Sequence, residues 1–162
     1  MNPLHGAAGK GSVELVRMLL EHGAEVNAWT KARSILLLMA AESGIVEVVQ
    51  VLIKQGANVD VEDEEEETLL HRAARTGSVE LVRMLLEHGA DVHARTTGSW
   101  CWTPLLMAVG YGDVNIVEVA QMLLEYGSDL NARTKDGSNR LLMAVEFQNV
   151  GIVRMLIKRN RK

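Results

Sequence analysis

Apolar positions along this chain fall into short blocks with helical spacing, separated by polar turns that carry glycine. Val13, Val16, Leu19 and Leu20 lie three or four residues apart or side by side, which predicts a helix with one apolar stripe. Gly23 follows it, a residue able to take the left-handed conformation that ends a helix. The block Thr103-Pro104-Leu105-Leu106-Met107-Ala108-Val109 predicts a second, shorter kind of helix. Its hydroxyl residue suits the N-cap and its proline suits the first turn. Small alanines in such helices leave room for a neighbour to approach closely. Neither kind of helix can bury its apolar stripe alone, so units of this sort must stack.

The stacking unit is visible as an internal repeat. The segment Gly11 to Ala24 recurs unchanged from Gly77 to Ala90, an offset of 66, which is twice 33. A variant with the same spacing runs from Gly44 to Gly56, so that Gly11, Gly44 and Gly77 are each 33 apart and each precede another glycine by 12. Two further units follow, around Gly112 to Gly127 and Gln148 to Asn160. Thr-Pro-Leu-x-x-Ala, then Gly, then Val-x-x-Leu-Leu-x-x-Gly-Ala-x-Val-Asn-Ala at this period is similar to the ankyrin repeat.

The resemblance implies an all-α repeat solenoid, a stack of helix-turn-helix units with β-hairpin fingers projecting from it. It divides residues 1–162, taken as a single repeat domain, into five repeats at approximately 1–29, 30–62, 63–95, 96–133 and 134–162. In that pattern His5 and His71 hold the first-helix position whose ring ties neighbouring loops together, while Leu38, Leu106 and Leu142 replace it. Asn139, Arg140 and Gln148 depart from the usual Thr-Pro and Gly, as a water-facing terminal unit would. The fourth unit is longer in two places: its finger carries two extra residues, and the stretch from Gly112 to Gly127 reads as close to one added helical turn.

Composition narrows the function without naming it. The chain is 48% hydrophobic with a single cysteine, Cys101, so no internal disulfide can form and a reducing interior is expected. Its longest apolar run is Ile35 to Ala41, far short of the roughly 20 residues a membrane helix needs. The N-terminus lacks the layout of a signal peptide, and a cytoplasmic location is expected, with the nucleus left open. Net charge is −4, and the acidity is local: Glu62-Asp63-Glu64-Glu65-Glu66-Glu67 is one uninterrupted run in the third finger. Nothing resembles a basic face for duplex nucleic acid apart from the short tail Lys158-Arg159-Asn160-Arg161-Lys162, whose cations suit the end of a final helix. The stretch Gly6 to Ser12 fails the spacing of a phosphate loop, the histidines lack paired ligand spacing for zinc, and the acidic run lacks the alternation of a calcium loop. No nucleophile and base can be placed together. The expectation is therefore no enzyme, no cofactor and no metal, with seven of the eight methionines acting as core filler and a monomer whose ends face water.

The aromatics carry the remaining signal. Trp29 leads into the second finger, Trp100 and Trp102 lie on the fourth, Tyr111 ends the fourth first helix, and Phe147 holds the matching place in the fifth unit. They either pack on one another across units or form a hot spot for a partner, with Trp100 or Trp102 as anchor. In ankyrin repeats the fingers and the first helices form the concave recognition surface. The resemblance thus implies a non-enzymatic protein–protein interaction module, its site centred on repeats three to five. The candidate contact residues are Trp29, Lys31, Arg33, Glu64, Glu65, Glu66, Glu67, Arg75, Trp100, Trp102, Tyr111, Arg133, Lys135 and Phe147. The partner expected is a protein, basic in part with an apolar anchor. Two alternatives stay open: a nucleotide or small-ligand sensor in which Trp102 stacks while Arg133 and Lys135 hold phosphate, and an engineered or duplicated scaffold with no natural partner.

Overall fold

The computed structural model describes residues 3–27, 36–42, 44–97, 100–111, 115–129, 131–137, 140–146 and 148–159. Among them run ten α-helices in which a shorter helix alternates with a longer one. In chain order these are α1 (Pro3–Gly9), α2 (Val13–Glu21), α3 (Leu36–Glu42), α4 (Val46–Lys54), α5 (Leu69–Thr76), α6 (Val79–Glu87), α7 (Pro104–Tyr111), α8 (Ile116–Glu125), α9 (Arg140–Glu146) and α10 (Val150–Arg159). None of the described helices is long and apolar enough to cross a membrane.

The chain forms two compact units, Met1–Glu64 and Glu65–Lys162. In the first, α1 packs on α2 and α3, and α4 on α2 and α3. In the second, the first helices α5, α7 and α9 pack in succession, and the second helices α6, α8 and α10 do the same beside them. Leu69, Leu70, Leu85, Leu105, Leu106 and Leu123 are fully buried in this second unit, so its apolar stripes are satisfied by neighbouring helix pairs. The all-α repeat fold follows directly.

Helix starts conform to the capping chemistry. The Thr68 side chain accepts from the His71 backbone while the His71 ring receives the Thr68 N–H, a reciprocal capping box. Thr103 Oγ1 accepts from the Leu106 N–H at 3.3 Å. At the ends of α2 and α6, His22 and His88 each donate Nδ1–H to the carbonyl four residues back, at 2.7 and 2.8 Å. Each of these carbonyls also accepts the histidine's own backbone N–H at 3.2 Å, so the ring adds a second hydrogen bond to the last turn.

Three expectations need correction. No β-hairpin finger is seen among the described residues, where only Glu62, Thr68 and Arg133 take part in isolated bridges. Left-handed residues within the fingers, Glu66 at φ 56° and Cys101 at φ 47°, interrupt the extended backbone a ladder needs. Helix α8 does not carry the added turn read into the fourth unit: it has 10 residues against 9 in α6. Helix α8 begins at Ile116, and Asn115 at φ 55° holds the left-handed turn position that Gly11, Gly44 and Gly77 hold elsewhere. The extra residues therefore precede the turn, and the Asn115 side chain fastens it to the Gly77 carbonyl at 3.3 Å. Met18 is not core filler. The repeated segment buries Leu81 (7% exposed) and Met84 (8%) in α6, yet leaves Leu15 (50%) and Met18 (49%) exposed in α2. The same apolar stripe is thus covered in one copy and open in the other. In α10, Val150 and Ile157 are exposed as well.

Gln148 shares that left-handed turn conformation, at φ 54°. A side chain there costs about 1 kcal/mol relative to glycine. Gln148→Gly is therefore expected to raise unfolding stability by about 1 kcal/mol in a denaturant titration; a loss of stability would show that the glutamine side chain makes a compensating contact.

Candidate functional site

The fourth finger is held from three directions. The Thr96 N–H donates to the Trp102 carbonyl at 3.0 Å, and the Trp102 N–H donates to Thr96 Oγ1 at 3.0 Å, so the finger closes on itself. The His71 ring reaches the same carbonyl from α5, Nε2 to O, at 3.0 Å. A carbonyl can only accept, so Nε2 carries the proton and Nδ1 is left as acceptor for the Thr68 N–H at 3.2 Å and hydroxyl at 2.8 Å. One buried neutral imidazole thus links the start of α5 to the finger of the following repeat, the tie the ankyrin resemblance implied. On the other side, the Lys135 N–H donates to the Trp100 carbonyl at 3.2 Å. Arg95 donates one guanidinium nitrogen to the carbonyls of Cys101 and Arg133, at 3.4 and 3.2 Å.

This frame sets three aromatic rings in a row. Trp102 lies between Trp100, centroids 6.4 Å apart and tilted 45°, and Tyr111, 5.0 Å apart and tilted 47°. Their exposures differ sharply: Trp102 is 8% exposed, Trp100 51% and Tyr111 54%. Trp102 owes its burial to a missing side chain. A Cβ on Gly110 would stand 2.8 Å from the Trp102 ring and 2.9 Å from the Met143 methyl. The ring sits against the backbone of α7, and only glycine permits it. The two outer rings present their surface to solvent.

Beside the row opens a cleft of about 250 Å³ lined by Trp100, Trp102, Tyr111, Thr134, Asp136, Met143 and Glu146. The Thr134 hydroxyl donates to the Asp136 carboxylate, which fixes that carboxylate within the fifth finger. Two carboxylates and no cation stand among these lining residues.

The other candidate residues are distributed as follows. Glu65 and Glu66 are exposed, and the third finger is joined to the fourth by the Thr97 N–H donating to the Glu65 carbonyl at 2.9 Å. Glu67 pairs with Arg75 at 3.4 Å, so these two engage each other. Glu64, the last residue of the first unit, is exposed. Arg133 donates to the Gly137 carbonyl at 3.1 Å within its own finger, and Lys135 is exposed. Neither lines the cleft. Trp29, Lys31, Arg33 and Phe147 lie outside the described residues.

Sequence reasoning missed Gly110, Asp136, Met143 and Glu146. The lengthened repeat register would have found them. Counting 36 from one unit to the next carries Trp100 to Asp136, Met107 to Met143 and Gly110 to Glu146.

Among comparisons with known proteins, the family model for ankyrin repeats in three copies matches residues 4–96 and again 95–162. No curated protein is similar enough to the chain to count as a match.

Proposed function

The chain belongs to the ankyrin-repeat family, whose members are in general non-enzymatic protein–protein interaction modules, and on that premise we propose that it binds a protein segment through finger four and the adjoining first helices. Repeats three to five, in a five-repeat division of the chain, form the centre of the site. Trp100 and Tyr111 supply the exposed aromatic contact, Trp102 supports them from beneath, and Glu65 and Glu66 offer charge at one edge.

The observation that carries this reading is the half-exposed pair Trp100 and Tyr111 flanking a buried third ring. Large aromatics are seldom left open to water without a use, and Trp and Tyr dominate binding energy at protein interfaces. Ring packing and partner binding are compatible, because different members of the row serve each. The nucleotide alternative is disfavoured. Asp136 and Glu146 line the cleft where a phosphate would be repelled, Arg133 is turned to the Gly137 carbonyl, and the Trp102 face is covered.

The test is capture from a soluble cell extract, comparing the native chain with Trp100→Ala/Tyr111→Ala and reading both by mass spectrometry. A protein recovered by the native chain alone is the expected result. Equal recovery by both forms would move the contact to another face.

A further inference from the structure

We propose that the cleft between fingers four and five receives the side chain of an arginine from the bound protein segment; this rests on the protein-binding reading above and specifies its chemistry. Three observations converge on a guanidinium. Trp100 and Tyr111, each about half exposed, are tilted at 45° and 47° to the buried Trp102 between them, so the two outer rings keep aromatic surface open to a ligand. Aromatic faces attract cations, and arginine more often than lysine. Asp136 and Glu146 line the same cleft. Asp136 is fixed by the Thr134 hydroxyl and Glu146 is exposed at the end of α9, so an entering cation meets one positioned carboxylate and a second within reach. Among the described residues the lining holds no positive charge to oppose it.

Arginine fits this combination better than lysine. Its guanidinium is flat, weakly hydrated and able to lie against an aromatic face while its N–H groups fork towards carboxylates. An ammonium group is a compact and strongly hydrated charge, which loses more water on entering a partly apolar cleft. A volume of about 250 Å³ holds a guanidinium and part of its stem without needing the neighbouring helices to move. Glu65 and Glu66 are exposed on the finger hydrogen-bonded to finger four, so a segment with further basic residues would find charge of the right sign on the far side of that finger.

The experiment titrates the chain with N-acetyl-arginine amide, its lysine counterpart and its citrulline counterpart at constant ionic strength. Binding is followed by tryptophan fluorescence and by the indole N–H resonances of Trp100 and Trp102. Citrulline keeps the shape of arginine and removes its charge. The expected result is saturable binding of the arginine compound with a Kd on the order of 1 mM. Citrulline should bind about tenfold more weakly, and lysine should fall between them. Glu146→Gln and Trp100→Ala, both at exposed positions, should each weaken arginine binding by about threefold or more while far-ultraviolet circular dichroism stays unchanged. Citrulline binding as tightly as arginine, lysine binding more tightly than arginine, or no saturable change with arginine would overturn the proposal. Should arginine fail while Trp100→Ala/Tyr111→Ala still abolishes capture of a protein, the binding surface stands and its occupant is wrong. Should both fail, the surface itself is wrong.

Discussion

Trp102→Ala is expected to cost about 3–5 kcal/mol of folding stability, the range for removing a buried large aromatic. The side chain is nearly covered, it packs against the glycine backbone of α7 at Gly110, and its ring joins Trp100 to Tyr111. Its removal leaves a cavity between finger and helix that rigid helices cannot collapse to fill. Set against a typical total of about 5–15 kcal/mol, this would melt the second unit at a visibly lower temperature. Trp100→Ala removes a half-exposed ring and is expected to stay within about 0.5–1 kcal/mol of the native chain. Thermal or denaturant unfolding of the two variants side by side checks the contrast. Equal effects would mean that finger four does not hold Trp102 as described. The contrast also fixes which variant can test binding: loss of capture in Trp102→Ala would confound unfolding with a missing contact.

The second large effect concerns His71. Replacing it with leucine, the residue that holds the same repeat position at Leu38 and Leu106, keeps the apolar volume and removes three hydrogen bonds. The Thr68 N–H and hydroxyl lose their acceptor, and the Trp102 carbonyl keeps only the Thr96 N–H. A buried donor left unsatisfied costs about 1–3 kcal/mol, so a loss of about 2–4 kcal/mol is expected from these groups together. The loss should be local as well as global. Amide exchange at Thr96 and Trp102 should accelerate in His71→Leu at temperatures where α6 remains protected. Unchanged exchange at the finger would show that the closure by Thr96 suffices without the imidazole.

Much of the architecture was legible because the repeat period is a covalent fact. Glycines 33 residues apart and an unchanged 14-residue copy fix helix pairs before any packing is known. Thr103 was readable as a helix start because capping is local chemistry. What failed to show was whatever depends on the neighbouring unit. The turn before α8 could not be placed from spacing alone, since Asn115 substitutes for a glycine at positive φ and Gly112 offered a false register. Identical stripes in α2 and α6 have different exposure, because burial depends on what stands alongside and not on the stripe. Trp100 and Trp102 look equivalent in sequence, two residues apart on one finger. Their difference comes from Gly110, eight residues beyond Trp102 and across a helix, whose missing Cβ makes the seat. The carboxylates of the cleft, Asp136 and Glu146, had no local pattern to mark them; a 36-residue register gives their repeat positions, but only the structure places them beside the aromatic row.

The most direct measurement of the central claim is amide hydrogen exchange of the chain alone and with the protein it captures. The account predicts slowed exchange in the segments Trp100–Tyr111 and Arg133–Glu146, with little change along α6 and α8. Protection confined to Met1–Glu64, or to those second helices, would contradict it.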